Sequence, residues 1–308
     1  MGVGEGYGKL ILFGEHSAVY NHPAVGLRLA TFLRVATTPV NNDTWIFTGV
    51  DVQVHRKLEE AAGLLPEFIR ETGPAYRVTI TGDLPIGTGF GSSAAFCTAL
   101  LKALDERNVL SDVCLLWEAA HKMERAFHGT PSGIDTGLSV LSGTNALYPQ
   151  PSGLPVANQV TLPRCFLVVG AIERSSSTAA LVRGIRTARE SNPSRVETLL
   201  GELGQIARAV ISEGRSTPTR LGDHCRCAQN YLQQLQLSTP ELDHALDLLE
   251  GMGSLGGKLS GAGGGGAFFG VFDDEQQAGQ AAAELRSWIA QMGLYSAGEP
   301  YVEIIKTA

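Results

Sequence analysis

Residues 85–95 read Pro-Ile-Gly-Thr-Gly-Phe-Gly-Ser-Ser-Ala-Ala and place three glycines and two serines directly before a helix-forming segment. Glycine-rich backbone can turn several N–H groups towards one anion, and the N-terminus of a following helix adds positive potential. The serine hydroxyls can bind a phosphate oxygen or a metal ion. This first glycine loop (residues 85–91) therefore predicts a phosphate site, and the expected guest is a nucleotide.

Two common phosphate-binding motifs do not fit this loop. A P-loop requires Gly-Lys-Ser/Thr at a fixed distance from its first glycine, and no such triplet is present. The dinucleotide fingerprint G-x-G-x-x-G is also broken, because Ser92 stands where its third glycine would be. Since a glycine-rich turn is often only structural, the interpretation depends on the other motifs of the chain.

Three further segments carry acidic, basic and glycine residues. They are residues 8–16 (Gly-Lys-Leu-Ile-Leu-Phe-Gly-Glu-His), residues 124–135 (with Glu124, His128 and Asp135) and residues 258–266 (Lys-Leu-Ser-Gly-Ala-Gly-Gly-Gly-Gly). Each has an ordinary explanation by itself: a solvated lysine, a glutamate on the wet face of a helix, a tight turn. Together they supply what phosphoryl transfer needs, namely metal ligands, a proton acceptor, a neutralising lysine and backbone that holds phosphates.

The composition is that of a globular enzyme. The chain has 308 residues, 44% hydrophobic and 18% charged, which suffices for two domains. A net charge of −7 argues against a nucleic-acid partner. No apolar run reaches transmembrane length, and the N-terminus lacks the regions of a signal peptide, so we expect a cytoplasmic protein without membrane contact.

The five cysteines are scattered, as expected for reduced thiols and not for a disulfide framework. His224-Cys225-x-Cys227 could suggest a metal site, but C-x-C lacks the usual zinc spacing and no second ligand pair follows. Thiols on a helix are the favoured interpretation. Lys102 and Arg174 could add positive charge to an anion site, although exposed basic residues are the commoner explanation.

Hydrophobic patterning predicts strands and helices in both halves of the chain, which is the α+β class. Strands are expected at 7–13, 18–20, 27–38, 76–82, 144–148, 165–172, 267–272 and 301–305. Helices are expected at 52–71, 94–104, 112–127 with Ser111 as cap, 177–190, 195–213, 220–236, 240–251 and 275–292. Residues 149–163, rich in Pro, Gly, Ser and Asn, form the best domain boundary.

These motifs, in this order, resemble the GHMP kinase family, whose initials stand for galactokinase, homoserine kinase, mevalonate kinase and phosphomevalonate kinase. The resemblance spans nearly the whole chain and is closest to the mevalonate kinase branch. Lys9-Leu-Ile-Leu-Phe-Gly-Glu-His-Ser-Ala-Val-Tyr20 is similar to that branch's K-V-I-L-F-G-E-H-A-V-V-Y, and residues 124–135 keep the Glu-to-Asp interval. It implies a two-domain GHMP kinase fold, with an N-terminal ribosomal-protein-like α/β domain (1–163) and a ferredoxin-like C-terminal domain (164–308).

The resemblance also implies roles for individual residues. Asp135 is expected to be the catalytic carboxylate, with Lys9 beside it, and Ser92 and Glu124 are expected to bind Mg²⁺, although Ser92 and Ser93 could exchange roles. Glu15, His16 and Thr178, with Asp135, are expected in the acceptor pocket. The residues expected at ATP are Pro85, Gly87, Gly89, Gly91, Ser92, Ser93, Ala94, Ser260, Gly261, Ala262 and Gly263.

The implied activity is ATP-dependent phosphorylation of the primary hydroxyl of mevalonate, giving 5-phosphomevalonate for isoprenoid biosynthesis, by an enzyme that relatives suggest is a homodimer. Ser17-Ala18 follows His16, whereas galactokinases have Thr-Asp at these positions as part of a sugar-binding arrangement. A family kinase for another acceptor, phosphomevalonate or a sugar, is the nearest alternative. A non-catalytic nucleotide-binding relative is a second, and the retained Lys9, Glu124 and Asp135 argue against it.

Overall fold

The computed structural model describes residues 1–41, 45–50, 52–70 and 75–307. These residues form ten β-strands and ten α-helices distributed over two separate sheets, which confirms the predicted α+β class. Among the helices of the described ranges, none combines the length and apolar character needed to cross a membrane.

The first sheet is built from the N-terminal half of the chain. Its strands are β1 (Gly2–Phe13), β2 (Ala24–Pro39), β3 (Ile46–Thr48), β4 (Tyr76–Gly82), β5 (Thr144–Tyr148) and β6 (Val156–Gln159). They lie in the order β3-β4-β2-β5-β6, with β1 also paired to β2, and only β3 and β4 run parallel. The accompanying helices are α1 (Val52–Ala62), α2 (Glu67–Arg70), α3 (Ser92–Leu104), α4 (Val113–His128) and α5 (Ile134–Val140).

Alternate glycines of β1 allow α3 to lie directly on that strand. Side chains alternate between the two faces of a strand, so Gly2, Gly4 and Gly6 share one face. A Cβ at each position would come within 1.8–2.1 Å of a carbonyl oxygen of α3. At the start of the helix, the backbone N–H of Lys9 donates to the carbonyl oxygen of Phe90 at 2.9 Å. The first glycine loop is therefore held against β1.

The second sheet is built from the C-terminal half and is entirely antiparallel. Its order is β10-β7-β9-β8, from β7 (Phe166–Ile172), β8 (Gly257–Leu259), β9 (Gly266–Phe272) and β10 (Val302–Lys306). Its helices are α6 (Thr178–Ser191), α7 (Pro193–Glu213), α8 (Pro218–Gln234), α9 (Pro240–Gly251) and α10 (Glu275–Gln291). The chain passes from the first sheet to the second between Gln159 and Phe166. The domain boundary at residues 163/164 stays a prediction.

The strand expected at residues 18–20 is wrong. Ser17–Tyr20 forms a short 3₁₀ helix, because the backbone reverses before it. Gly14 has φ +92° and His16 has φ +56°, and such left-handed residues cannot continue an extended strand. The expectation missed this turn because the apolar triplet Ala-Val-Tyr has the composition of a strand.

Two helix boundaries also differ from expectation. Proline at position 66 divides the helix expected at 52–71 into α1 and α2, and residue 71 lies outside the described ranges. The cap of α4 is Asp112 and not Ser111, since the Asp112 carboxylate accepts hydrogen bonds from the N–H groups of Cys114 at 2.8 Å and Leu115 at 3.1 Å. The short strands β3, β6 and β8 were missed, because three or four residues are too few to show alternation.

Candidate active site

The first glycine loop has the left-handed backbone that its sequence predicts. Gly87, Gly89 and Gly91 have φ values of +80°, +100° and +76°, and Gly91 is the N-terminal cap of α3. The loop begins at Pro85, whose carbonyl oxygen accepts from Thr88 Oγ1 at 3.5 Å. Ala94 is fully buried in the first turn of α3. The N–H groups of that turn have no acceptor within the helix, so the loop and helix together form an anion cradle.

Lys9 and Asp135 form an ion pair beside this cradle. Lys9 Nζ lies 3.1 Å from Asp135 Oδ1, with the lysine buried and the aspartate one-third exposed. The aliphatic part of Lys9 runs under Gly91, where a Cβ would lie 2.8 Å from Lys9 Cγ. Asp135 belongs to the first turn of α5, which begins after Gly133 at φ +79°. The structure therefore brings the two predicted catalytic residues together, with the carboxylate partly exposed to solvent.

Glu124 forms a second acidic position next to the same cradle. It is buried in the last turns of α4, and Ser93 Oγ donates to its Oε1 at 3.3 Å. Ser93 Oγ also lies 3.2 Å from His128 Nε2. Burial and, secondly, the nearby charge of Asp135 raise the pKa of Glu124 to about 8. Burial also lowers the pKa of His128, so this group is a neutral hydrogen-bonding partner.

The serine that meets Glu124 is Ser93 and not Ser92. Successive helix residues are turned by about 100° around the axis, so only one of the two serines can face α4. Ser92 Oγ instead accepts from the backbone N–H of Gly87 at 3.4 Å, within the first glycine loop. Of the two arrangements expected for these serines, the structure has the one with Ser93 beside Glu124.

The second glycine loop (residues 261–266) reaches the end of β1. Ser260 Oγ donates to the carbonyl oxygen of Ile11 at 2.7 Å, and His16 Nε2 donates to the carbonyl oxygen of Ala262 at 3.0 Å. Burial lowers the pKa of His16, in agreement with a neutral imidazole that carries its proton on this nitrogen. Gly261 and Gly263 have φ values of +77° and +81°. The loop of the second sheet thus closes onto the first.

Glu15 is buried in an ion pair with Lys258, and the two side chains are 1% and 0% exposed. Lys258 Nζ also donates to the carbonyl oxygen of Leu259 at 2.6 Å and lies 5.7 Å from the ring centre of Phe13. Within the described ranges, Glu15 Oε2 has no hydrogen-bond partner. This pair joins the second residue after β1 to β8.

Thr178, the remaining residue expected at the acceptor, is the first residue of α6, and its Oγ1 accepts from Arg174 Nη1 at 2.9 Å. Arg174 is not the exposed cation that its sequence context suggested. Its Nε is buried, and it lies against both glycine loops. Sequence reasoning also left out His128 and Lys258 as site residues. Nothing in the local sequence could place Arg174, because its neighbours come from distant parts of the chain.

The side chains of the C-x-C segment have different surroundings. His224 Nε2 pairs with Glu213 Oε2 at 2.9 Å, Cys225 is buried, and Cys227 is exposed. Among the described side chains, no group of three or more His, Cys, Asp or Glu residues is arranged to hold a metal ion. The favoured interpretation, thiols on a helix, agrees with this arrangement.

Comparison with known proteins identifies two family profiles in the chain. "GHMP kinases N terminal domain" matches residues 52–143, and "GHMP kinases C terminal" matches residues 217–291. The mevalonate kinase of Archaeoglobus fulgidus is 32% identical over 277 residues, covering 88% of this chain and 93% of that protein. The mevalonate kinase of Thermococcus sibiricus is 30% identical, covering 87% of this chain and 88% of that protein.

Solved structures share the fold over the whole length of the chain. The L. major mevalonate kinase in complex with R-mevalonate gives a TM-score of 0.82 at 24% identity, covering 100% of this chain and 97% of that one. The Streptococcus pneumoniae phosphomevalonate kinase in complex with phosphomevalonate and AMPPNP gives 0.77 at 17% identity, covering 99% and 100%. With the Lys9–Asp135 pair beside its first glycine loop and with these profile and sequence matches, the chain belongs to the GHMP kinase family of ATP-dependent kinases.

Proposed function

We propose that this protein transfers the γ-phosphoryl group of ATP to the primary hydroxyl of mevalonate, giving 5-phosphomevalonate and ADP. The observation that carries the chemistry is the Lys9–Asp135 pair at 3.1 Å, beside a glycine loop that caps α3. The acceptor is supported by sequence identities of 32% and 30% to two proteins that are mevalonate kinases.

Asp135 is proposed to accept the proton of the substrate hydroxyl. As that proton leaves, the hydroxyl oxygen forms a bond to the γ-phosphorus, and the bond from that phosphorus to the β,γ-bridging oxygen breaks. The electron pair of the broken bond stays on ADP. Lys9 is buried and faces Asp135, so its positive charge stabilises the negative charge that develops on this side of the phosphorus.

Glu124 and Ser93 are proposed to hold Mg²⁺. Burial and the charge of Asp135 outweigh the opposing effect of Lys9 and raise the pKa of Glu124 to about 8, so a cation would stabilise this carboxylate, and Ser93 Oγ lies beside it as a neutral oxygen ligand. Mg²⁺ keeps most of its water and needs few protein ligands, so this oxygen pair fits the ion. When bound there, the ion would neutralise charge on the phosphate oxygens of ATP.

Glu15, His16 and Thr178 are proposed to bound the acceptor pocket. His16 is fixed by the Ala262 carbonyl and the buried Glu15 by Lys258, so the backbone at the end of β1 is held rigidly where the pocket is proposed. Ala18, which follows in the 3₁₀ turn, is buried and apolar. An aliphatic acceptor fits this turn better than a sugar, which would need hydrogen-bonding groups there.

An acceptor panel with ATP tests the proposal. Mevalonate, phosphomevalonate, galactose and homoserine are compared by kcat/KM, with ADP formation as the readout. Mevalonate should give by far the largest value. A preference for phosphomevalonate or a sugar would overturn the acceptor assignment but leave the kinase assignment intact. Nucleotide binding without turnover of any acceptor would point to a non-catalytic relative.

The homodimer and the cytoplasmic location stay predictions. Light scattering coupled to size-exclusion chromatography measures the mass in solution, and a value near twice the 32.6 kDa chain would establish the dimer. Cell fractionation measures the location.

A further inference from the structure

Arg174 is a partly desolvated cation that the reaction described above leaves unused. It follows β7, in the C-terminal half, yet its guanidinium lies against glycines of both loops. A Cβ at Gly89 would lie 2.7 Å from Arg174 Nη2, and a Cβ at Gly266 would lie 2.7 Å from Arg174 Nε. A side chain at either glycine would collide with the guanidinium, so the glycines of the two loops leave room for the guanidinium.

The hydrogen-bonding capacity of Arg174 is largely unsatisfied among the described residues. Its Nη1 donates to Thr178 Oγ1 at 2.9 Å, but its Nε is buried without an acceptor. No carboxylate of the described ranges forms an ion pair with it, although the charge of Asp135 stabilises its cationic form. A buried guanidinium without an anion is costly, so the arrangement requires an anionic guest.

The position of Arg174 identifies which anion that is. Gly89 belongs to the first glycine loop, and Gly261, whose Cβ would lie 3.7 Å from Arg174 Nη2, belongs to the second. Asp135 is close enough to affect the charge of Arg174. The guanidinium therefore faces the space between the phosphate cradle and the proposed base, and the transferred group must pass through that space.

We propose that Arg174 binds the terminal phosphate of ATP through its guanidinium. It thereby stabilises the phosphoryl group during transfer. This inference rests on the proposed kinase function but not on the identity of the acceptor. A planar guanidinium suits two neighbouring phosphate oxygens, and Thr178 holds it in the required orientation.

The test compares nucleotides that differ only in the terminal phosphate. Binding of AMPPNP and of ADP is measured by calorimetry for the wild type, Arg174→Gln, Arg174→Lys and Arg186→Gln. Arg186 is an exposed arginine of α6 and serves as the matched control. We expect Arg174→Gln to weaken AMPPNP binding at least about tenfold and ADP binding less than about threefold, since a charged hydrogen bond is lost only with the terminal phosphate. Arg174→Lys should recover part of the difference, and the control should match the wild type.

Turnover provides a second readout. Arg174→Gln should lower kcat at least about 100-fold with a nearly unchanged KM for the acceptor, as expected when a donor to the transition state is removed. Equal weakening of AMPPNP and ADP would overturn the proposal and make Arg174 a support of the loops. A raised KM for mevalonate with unchanged nucleotide binding would also overturn it, and would assign Arg174 to the acceptor's carboxylate. Because the binding arms contain no acceptor, they remain decisive if mevalonate is not the substrate.

Discussion

Ser93 Oγ donates a hydrogen bond to Glu124 Oε1 at 3.3 Å, and this contact joins the first turn of α3 to the last turns of α4. The helix that carries the phosphate cradle and the helix that carries the buried acid are thus connected by side chains as well as by packing. Since Ser93 also lies 3.2 Å from His128 Nε2, one hydroxyl orders both groups. The ionisation of Glu124 therefore depends on Ser93 in the first turn of α3 as well as on the groups of α4.

The pH dependence of the Mg²⁺ requirement should report that ionisation. With a pKa of about 8, Glu124 is mostly protonated at pH 6.5, and a metal ion must displace the proton. The Mg²⁺ concentration for half-maximal activity should therefore fall up to about tenfold per pH unit as pH rises from 6.5 to 8. Titration of Mg²⁺ at fixed free ATP measures this. The Glu124→Gln variant should need more Mg²⁺, and its half-maximal Mg²⁺ concentration should no longer depend on pH in this way. An unchanged pH dependence in this variant would show that Glu124 does not bind the metal.

The same carboxyl should make the metal-free protein less stable at higher pH. Its pKa in the folded state lies above its ordinary value of 4.5, so the folded protein holds the proton more tightly than the unfolded chain. The free energy of unfolding should fall as pH rises from about 4.5 to 8. Urea unfolding of the wild type and Glu124→Gln, in the presence of a chelator and across this pH range, measures the effect. The free energy of unfolding of the wild type should fall more steeply with pH than that of Glu124→Gln, because only the wild type has this carboxyl.

Asp135→Asn should remove catalysis and spare nucleotide binding. Asparagine keeps the shape of the side chain but cannot accept the hydroxyl proton, so kcat should fall at least about 100-fold. The dissociation constant of AMPPNP should stay within about threefold of the wild type. Asp247→Asn on the exposed face of α9 is the control and should leave both values unchanged. Nearly full activity of Asp135→Asn would show that another group takes the proton.

The Glu15–Lys258 pair should be strongly coupled in stability. Because both side chains are essentially inaccessible, either single change, Glu15→Gln or Lys258→Met, leaves one buried group unpaired and should cost about 3–5 kcal/mol. The double variant should cost much less than the sum of the two single changes. Urea unfolding of all four proteins forms the required cycle. Additive effects would show that the pair contributes no interaction energy.

The glycines of β1 should be intolerant of a side chain. A Cβ at Gly6 would lie 1.8 Å from the carbonyl oxygen of Ala95, so Gly6→Ala must push α3 away from the strand. We expect a loss of stability of about 1–3 kcal/mol and a lower kcat, because Lys9 belongs to the same strand. Gly279→Ala in α10 is the control: no described atom lies within 4 Å of its Cβ position, and helix propensity should stabilise it slightly. Thermal unfolding and steady-state kinetics separate the two variants.

The sequence was sufficient to predict several strands, helices and glycine turns. Alternation and caps predicted β4 and α9 at their observed bounds, and the glycines of the first loop have the backbone angles that the motif requires. The strands, helices and glycine turns depend on spacing within a segment, which is visible in a single sequence. The neighbourhood of Lys9 and Asp135, which are far apart in sequence, was expected only from the resemblance to the GHMP kinase family, and the two residues lie within ion-pair distance.

Features that depend on which side chain faces a neighbour were not predictable in this way. Ser92 and Ser93 differ only by a turn around the helix axis, and only the packing of α3 on α4 selects Ser93 for Glu124. The sequence around Arg174 suggested a surface cation. The structure buries its acceptor-free Nε against glycine loops that are distant in sequence, so the local sequence could not show this. The sharp turn at His16 was likewise hidden by strand-like composition.

The contacts between the end of β1 and the second glycine loop join segments that are synthesised far apart in time. The pairs Ile11–Ser260, Glu15–Lys258 and His16–Ala262 span 249, 243 and 246 residues of sequence. A nascent chain released up to α9 already contains the cradle, Glu124 and the Lys9–Asp135 pair, but Glu15 has no counter-ion. Contacts so distant in sequence form late, since the intervening chain must first be made and ordered. These contacts can therefore form only after β8 and the second glycine loop have been synthesised.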